Sequence, residues 1–333
     1  MSLTLSVVIP VFNAEKDLAL CLQALAASSA GFHELIVVDD GSTDNSSEVA
    51  RSFGAKLFHT KGRRGPAVAR NLGAHLAEAD LLFFLDADVC VHKDTLARIL
   101  AAFESDPDLD ALIGSYDDAP ASKGFFAQYK NLQHAYVHQN AQERASTFWT
   151  GCGAIRRELF LAHGGFDENY RRPCIEDIEL GCRLAEAGRK IRLDRSVQVK
   201  HLKAWSFRSM MLSDVFDRGI PWTRLILSRG SMPNDLNLKM AQRASVALVG
   251  QSLLGVGIAA LGGNALWLGV SAASLLWAGF LNRDFYRFLA QRRGARFAMS
   301  AIPVHFFYFL YSGFAFGLGC MAHWLLPRRS RRG

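Results

Sequence analysis

Several common signatures are missing from this sequence of 333 residues. The six cysteines form no C-x-x-C pair, so neither a zinc site nor a disulfide framework is predicted. No G-x-G-x-x-G turn follows the first apolar run, and no G-x-x-x-x-G-K-[ST] loop occurs, which argues against the dinucleotide-binding and P-loop classes. The opening MSLTLSVVIPVFN lacks a basic region, and its apolar run ends at Pro10. We therefore expect no signal peptide and a cytoplasmic location for roughly the first 240 residues.

Charge is missing from two long stretches near the C-terminal end. No charged residue occurs in the 39 positions between Arg243 and Arg283, or in the 31 positions between Arg296 and Arg328. A helix needs about 20 apolar residues to cross a bilayer. The first stretch fits two crossings, 244–262 and 265–282, and the second fits one, 302–326. The alternative is a buried hairpin in a soluble core, although globular helices seldom go so long without charge.

The net charge of +7 is concentrated in segments 171–208 and 283–296 and in the tail 328–333. Beside membrane spans, such clusters indicate the cytoplasmic face and contact with anionic lipid, so we predict a multi-pass protein of the cell membrane and no nucleic-acid partner. A hairpin of the first two spans keeps both of its ends on the cytoplasmic side. A third crossing would place the basic tail outside. Either this segment re-enters the membrane or the tail is an exception, and the sequence leaves both open.

Apolar runs alternate with helical patterns over the first part of the chain. Strands are predicted in LSVVIPVF, HELIVVDDGSTD, AKLFHT and DLLFFLDADV, with a helix after each. This alternation predicts a doubly wound α/β domain with a mostly parallel sheet. Right-handed crossovers would place the carboxyl ends of the strands on one rim, where ligands bind.

The fourth strand ends in two carboxylates, Asp86 and Asp88, which lie on the same face of an extended chain. Like charges so close repel each other, and Mg²⁺ or Mn²⁺ bound by oxygen ligands would remove that cost. The alternative is a solvated acidic turn. Asp39 and Asp40 end the second strand on the same predicted rim, so a divalent metal together with a diphosphate would supply the counter-charge to both.

Six motifs occur in the order seen in family-2 glycosyltransferases: VVIPVFNAE, VVDDGSTD, GPAVARNLG, FLDADV, GCGAIRRELFLAHGGFDE and EDIELGCRLAEAG. The chain resembles this family over roughly residues 5–205. The resemblance implies a nucleotide-diphospho-sugar transferase domain of the GT-A type that acts with inversion. No Q-x-x-R-W segment follows the last motif, which argues against the processive synthases of the family.

The resemblance also implies roles for particular residues. The nucleotide base and ribose of a UDP- or GDP-sugar would be surrounded by Pro10, Phe12, Asn13, Glu15 and Asp40. Asp86 and Asp88 would be the D-x-D pair that holds the metal and the diphosphate. Asp177 would be the catalytic base.

The chemistry of sugar transfer favours the same residues. A metal neutralises the leaving diphosphate, and a base takes the acceptor's proton. Asp177 opens a predicted helix whose dipole keeps it ionised, and Glu176 is the next candidate, whereas Glu179 is more typical of an acid that stabilises a helix N-terminus. His201 is either a third metal ligand or an ordinary strand residue.

Three further features are open to two interpretations each. Arg64 and Arg70 either reach a phosphate or are solvated helix charges, and Arg64 is the better candidate. Trp149–Gly153 either lines the sugar site or forms a simple loop.

These observations divide the chain into a cytoplasmic transferase domain 1–204, an amphipathic interfacial linker 205–243, transmembrane helices 244–327 and a basic tail 328–333. The linker is basic and contains two tryptophans, which is typical of a segment lying among lipid headgroups. We therefore expect a lipid acceptor, either a polyprenyl phosphate or a glycolipid. A polysaccharide or another soluble acceptor is the alternative. A sugar nucleotidyltransferase and a non-catalytic nucleotide-binding membrane subunit are the remaining classes.

Overall fold

The computed structural model describes residues 3–230, 232 and 235–325. The chain divides into two compact units, Met1–Ala204 and a second that begins at Trp205. The strands of the first unit are β1 (Leu5–Val11), β2 (Glu34–Asp39), β3 (Lys56–His59), β4 (Leu81–Phe84), β5 (Val89–Val91), β6 (Ala111–Tyr116), β7 (Gly153–Arg156) and β8 (Ile191–His201). Its helices are α1 (Glu15–Ala26), α2 (Ser46–Ser52), α3 (Pro66–Leu76), α4 (Thr95–Ser105), α5 (Phe125–Gln139), α6 (Arg157–Ala162) and α7 (Glu176–Glu186).

The eight strands form one sheet in the order β3-β2-β1-β4-β7-β6-β8-β5. The alternating strands and helices confirm the predicted doubly wound α/β domain. The sheet is less parallel than predicted, because β7 runs antiparallel to both of its neighbours and β5 runs antiparallel to β8. The prediction missed this because β7 is short and its sequence does not record the direction in which it enters the sheet.

Both faces of the sheet are covered. Val7 and Ile9 of β1 join the large apolar core that also contains Leu18 and Leu22 of α1. Val8 points to the opposite face, toward α3. Gly73 allows this close approach, since a Cβ atom at that position would lie 2.5 Å from Cγ1 of Val8. The alternation of side chains along an extended strand thus creates a helical layer on each side.

Strand direction gathers the polar residues of the first unit at one rim. β1, β2 and β4 are parallel, β7 reverses the direction, and β6 and β8 run again with β4. β3 is parallel to β2, so the carboxyl ends of six strands share an edge with the start of β7. Asp40, Asp86, Asp88 and His201 all lie at these strand ends.

The second unit is helical. Its helices are α8 (Phe207–Leu212), α9 (Ile220–Arg229), α10 (Met240–Ala260), α11 (Leu266–Leu281), α12 (Arg283–Arg293) and α13 (Ala295–Leu325), with a π-helical segment at Ser213–Gly219. Two of them, α10 with 21 residues and α13 with 31, are long and apolar enough to cross a membrane. Helix α11 is apolar but has only 16 residues. The predicted tail 328–333 lies outside the described residues.

Candidate active site

The centre of the site is an arginine enclosed between two carboxylates. Nη2 of Arg70 lies 2.7 Å from Oδ1 of Asp86, and Nη1 lies 2.7 Å from Oε1 of Glu176. Only 5% of the Arg70 side chain is exposed. Burial disfavours the charged guanidinium, but the attraction of the two carboxylates outweighs it and raises the pKa of Arg70. Arg70 therefore stays charged and links the end of β4 to the start of α7, rather than standing as a solvated helix charge.

Asp177 lies beside this ion-pair network. Its Oδ2 accepts hydrogen bonds from the backbone N–H and the hydroxyl of Thr150, at 3.2 and 3.3 Å, and its Oδ1 accepts one from the backbone N–H of Ile178 at 2.8 Å. Burial and the adjacent charge of Glu176 raise the pKa of Asp177 to about 6. Part of the side chain remains open to solvent. Asp177 is thus ionised at neutral pH and basic enough to take a proton.

Glu176 and Glu179 are engaged in structural contacts. Oε2 of Glu176 accepts the backbone N–H of Cys174 at 2.9 Å, so both of its oxygens have partners, and the residue is buried. Glu179 forms an ion pair of 2.9 Å with Arg183 on the next turn of α7. Of the three acids in this motif, Asp177 has the environment that suits a base.

Asp88 and His201 approach each other at the far side of the rim. Nε2 of His201 lies 3.5 Å from Oδ2 of Asp88, and its Nδ1 lies 2.7 Å from Oδ1 of Asn131. The Asn131 oxygen can only accept, so Nδ1 donates this hydrogen bond and Nε2 faces Asp88. Metal-binding histidines are held in this way by a second hydrogen bond. Imidazole and carboxylate are suitable ligands for Mn²⁺, so this pair fits a divalent metal.

The third predicted ligand, Asp86, directs one carboxylate oxygen to Arg70, as described above. Across the described ranges, no group of three or more His, Cys, Asp or Glu side chains is arranged to hold a metal ion. The metal role of Asp86 therefore stays a prediction, whereas Asp88 and His201 are already adjacent.

Asp40 fixes the loop that leads into α3. Its Oδ1 accepts the Thr60 hydroxyl at 2.7 Å and the Arg64 backbone N–H at 2.8 Å, and its Oδ2 accepts the Gly65 backbone N–H at 2.7 Å. Asp40 is buried, whereas the Arg64 side chain is exposed. The structure thus shows a loop-forming role for Asp40, and its predicted contact with the nucleotide stays a prediction.

The other predicted nucleotide residues lie at the end of β1 and the start of α1. Pro10 is the sixth residue of β1, and the guanidinium carbon of Arg63 lies 4.1 Å from the centre of the Phe12 ring. Asn13 has a positive φ of 48° and accepts the Thr43 backbone N–H at 2.7 Å. Glu15 accepts the side-chain amide of Asn45 at 3.2 Å. These contacts hold the β1 loop against the acidic turn after β2.

Trp149–Gly153 has a packing role that the sequence did not reveal. A Cβ atom at Gly151 would lie 2.5 Å from the Trp149 ring, and one at Gly153 would lie 2.4 Å from the Trp149 backbone oxygen. The small residues thus make room for Trp149. The sequence does not reveal Thr150 as the hydrogen-bond donor to Asp177. Nor does it reveal Asn131 as the partner of His201, because 70 residues separate this pair.

The sequence of this chain is similar to those of known glycosyltransferases. Residues 6–164 match the family model "Glycosyl transferase family 2". The glycosyltransferase GlyG of Streptococcus pneumoniae is 32% identical over 48% of this chain and 55% of its own length. A PGL/p-HBAD biosynthesis glycosyltransferase of Mycobacterium bovis is 35% identical over 53% of this chain and 68% of its own length. The chain therefore belongs to glycosyl transferase family 2. It spans little more than half of the length of GlyG.

A solved structure shares the fold. The mannosyltransferase PcManGT from Pyrobaculum calidifontis, determined in complex with GDP-Man and Mn²⁺, superposes with a TM-score of 0.61 at 18% identity. The superposition covers 98% of this chain and 88% of that protein. This likeness supports the GT-A fold of the first unit.

Proposed function

We propose that the chain transfers a sugar from a nucleotide-diphospho-sugar to a lipid acceptor in the cell membrane, with inversion and with the help of a divalent metal. The single observation that carries the proposal is Asp177, a carboxylate with a raised pKa at a rim that also holds the Asp88–His201 pair. Membership of family 2 supports the reaction class. The nucleotide of the donor is a uridine or guanosine diphosphate.

The acceptor oxygen attacks the anomeric carbon of the donor as the nucleoside diphosphate departs from the opposite face. The C–O bond to the diphosphate breaks, the bond to the acceptor forms, and the configuration inverts. Asp177 receives the acceptor's proton, which is a hydroxyl proton of a glycolipid or the last proton of a polyprenyl phosphate. Thr150 and Ile178 hold the Asp177 carboxylate in place, so its geometry is set before the acceptor arrives.

Asp88 and His201 would hold the metal, with Asp86 as a predicted further ligand. When bound, a divalent metal neutralises charge on the departing diphosphate as a Lewis acid. The complex of PcManGT with GDP-Man and Mn²⁺ supports a nucleotide sugar and a divalent metal as the ligands of this fold.

The second unit supports a place in the bilayer, because it exposes large apolar side chains and buries several polar ones. Ser245, Asn282 and His305 are buried, whereas Leu254 and Leu276 are 69% and 75% exposed. In a membrane, apolar side chains face lipid and polar ones form the contacts between helices. We propose that α10, α11 and α13 lie in the membrane and that the first unit lies on the cytoplasmic side.

The buried polar residues form hydrogen bonds between helices, as expected in that environment. The side-chain amide of Asn282 donates to Oγ of Ser245 at 2.8 Å, and its oxygen accepts from Gln242 at 3.0 Å. Oγ of Ser271 in α11 donates to the backbone oxygen of Ser252 in α10 at 2.9 Å. These bonds connect α10 to α11 and to Asn282, which directly follows α11, without using a charged residue.

The amphipathic region that begins at Trp205 supports a lipid acceptor. Phe207, Leu212 and Phe216 are exposed along α8 and the π-helical segment, and Arg208 lies among them. An exposed apolar surface with basic residues suits the headgroup layer. A soluble acceptor or a polysaccharide would not require it.

The test is to incubate membranes that contain the chain with a panel of labelled nucleotide sugars and to follow the label. Label in an organic-soluble product supports a lipid acceptor, and acid lability of that product indicates a glycosyl phosphate. Membranes with the Asp177→Asn variant are the matched control and should yield about 10²–10⁴-fold less product in the same time. Label found only in water-soluble polymer or in protein would contradict the lipid acceptor.

A further inference from the structure

Two loops of the first unit that touch each other carry four exposed cationic residues, close in sequence to helices α3 and α7. Lys61, Arg63 and Arg64 lie between β3 and α3, and Arg171 lies in the loop before α7. All four side chains are exposed, and we call them the cationic surface. By ion-pair distance, none of the four contacts a carboxylate among the residues that the structure describes, whereas exposed Arg51 and Arg98 each do.

The two loops touch at a position where only glycine fits. Gly65 has a φ of 101°, and a Cβ atom there would lie 2.5 Å from the backbone oxygen of Arg171 and 2.9 Å from its Cα. The first loop is held by the three hydrogen bonds of buried Asp40. Arg63 is fixed further by its contact with the Phe12 ring. The contact between the two loops is therefore fixed by the backbone, which places the four cationic residues on neighbouring loops.

Cations held together without carboxylates repel one another and favour an anionic ligand. The cationic surface adjoins the catalytic residues on both sides. Arg64 precedes α3 by two residues, and α3 carries Arg70. Arg171 lies five residues before Glu176, and the backbone of Cys174 in the same loop binds Glu176. An anion on this surface would lie near Asp177, the base that serves the acceptor.

We propose that the cationic surface binds the phosphate group of an anionic acceptor, an inference that rests on the proposed function. The donor's diphosphate would have its own counter-charge in the divalent metal that Asp88 and His201 would hold. The phosphate of the acceptor has no counter-charge of this kind. Arginine suits this task because its guanidinium binds phosphate through two parallel hydrogen bonds. The acceptor would thus be a lipid phosphate rather than a neutral glycolipid.

The experiment measures the binding of a short isoprenyl phosphate, farnesyl phosphate, to the full chain in neutral phosphatidylcholine nanodiscs. Farnesol is the uncharged comparison. Arg171→Ala should weaken farnesyl phosphate binding about tenfold or more, because one charge-assisted contact is lost, and should leave farnesol binding unchanged. The matched control is Arg189→Ala, an exposed arginine just beyond the opposite end of α7, which should change neither.

Three results would overturn the proposal. Equal binding of farnesyl phosphate to the wild type and Arg171→Ala would show that the surface does not bind the phosphate. A rise in the nucleotide-sugar Kd by the same factor would assign the surface to the donor. An effect that appears only in phosphatidylglycerol nanodiscs would assign it to lipid headgroups. Because binding is measured without turnover, failure of the transfer reaction itself would appear separately, as absence of labelled product with an intact farnesyl phosphate affinity.

Discussion

The two units of this chain differ in the apolar side chains that they expose and in the polar side chains that they bury. In the first unit the residues removed from solvent include Phe83 and Leu85, and the charged residues gather at one rim. In the second unit Asn282 and His305 are buried, and Leu276 is exposed. The hydrophobic effect explains the first arrangement in water. The second arrangement is typical of helices in apolar surroundings, in agreement with the proposed place of the second unit in the membrane.

Buried polar groups also differ between the units. The first unit contains an ionised network, with Arg70 between Asp86 and Glu176, and ionised partners are costly to separate in a protein interior. The second unit connects α10 and α11 through neutral amides and hydroxyls. The first kind of network suits the proposed chemistry on a charged donor, and the second suits the proposed packing in lipid.

The largest expected effect comes from breaking the ionised network. Arg70→Met would leave Glu176 buried without its cation, which should lower the free energy of unfolding of the first unit by about 3–5 kcal/mol. Hydrogen exchange of the α3 and α7 amides in the full chain measures this loss. Arg70→Lys keeps the charge but not the two-pronged geometry, so its loss in free energy of unfolding should be smaller than that of Arg70→Met. If Arg70→Met exchanges like the wild type, the network does not stabilise the unit.

A matched pair of surface substitutions tests the difference in solvent. Leu276 of α11 is 75% exposed and Leu20 of α1 is 47% exposed. Leu276→Lys should disfavour insertion by about 2–3 kcal/mol, because a charge would face lipid, whereas Leu20→Lys should change the fraction inserted very little. The measurement is the fraction of the full chain that stays in membranes after alkaline carbonate washing. Equal retention of both variants would contradict a lipid-facing α11.

The smallest of these effects concerns the neutral hydrogen bonds. Asn282→Leu should destabilise the second unit by only about 0.6–1.7 kcal/mol, as for other hydrogen bonds between membrane helices. Asn71→Leu in the first unit should cost about 1–3 kcal/mol, because it leaves the buried N–H of Phe166 without its side-chain acceptor. Hydrogen exchange of the helix amides around each position gives both values. A larger loss for Asn282→Leu than for Asn71→Leu would reverse the comparison.

The sequence predicted the elements that depend on local pattern. Strands β2 and β4, which Asp40 and Asp86 follow, and the helix that begins at Glu176 lie where apolar periodicity and helix-start residues place them. The gathering of acidic strand ends on one rim followed from the rule for right-handed crossovers. Charge-free stretches also predicted the apolar helices α10 and α13.

Contacts between distant parts of the chain could not be predicted in this way. Arg70 and Glu176 are 106 positions apart, and no periodicity relates them. Thr150 meets Asp177 only because β7 enters the sheet antiparallel and starts at the catalytic rim. Asp40 follows a strand, a position typical of a ligand-binding carboxylate, yet its hydrogen bonds hold the loop before α3. Each of these contacts depends on tertiary structure, which local sequence patterns do not reveal.

The pH dependence of transfer measures whether Asp177 takes the proton of the acceptor. Because the pKa of Asp177 is raised to about 6, the transfer rate of the full chain in nanodiscs should fall about tenfold per pH unit below pH 6, while donor binding stays constant. Asp177→Asn should bind donor normally and transfer about 10²–10⁴-fold more slowly. The residual rate of this variant should not decrease below pH 6. If the decrease persisted, the titrating group would be the acceptor's own phosphate. A wild-type rate that stays constant to pH 5, or unchanged turnover of Asp177→Asn at saturating donor, would contradict the account.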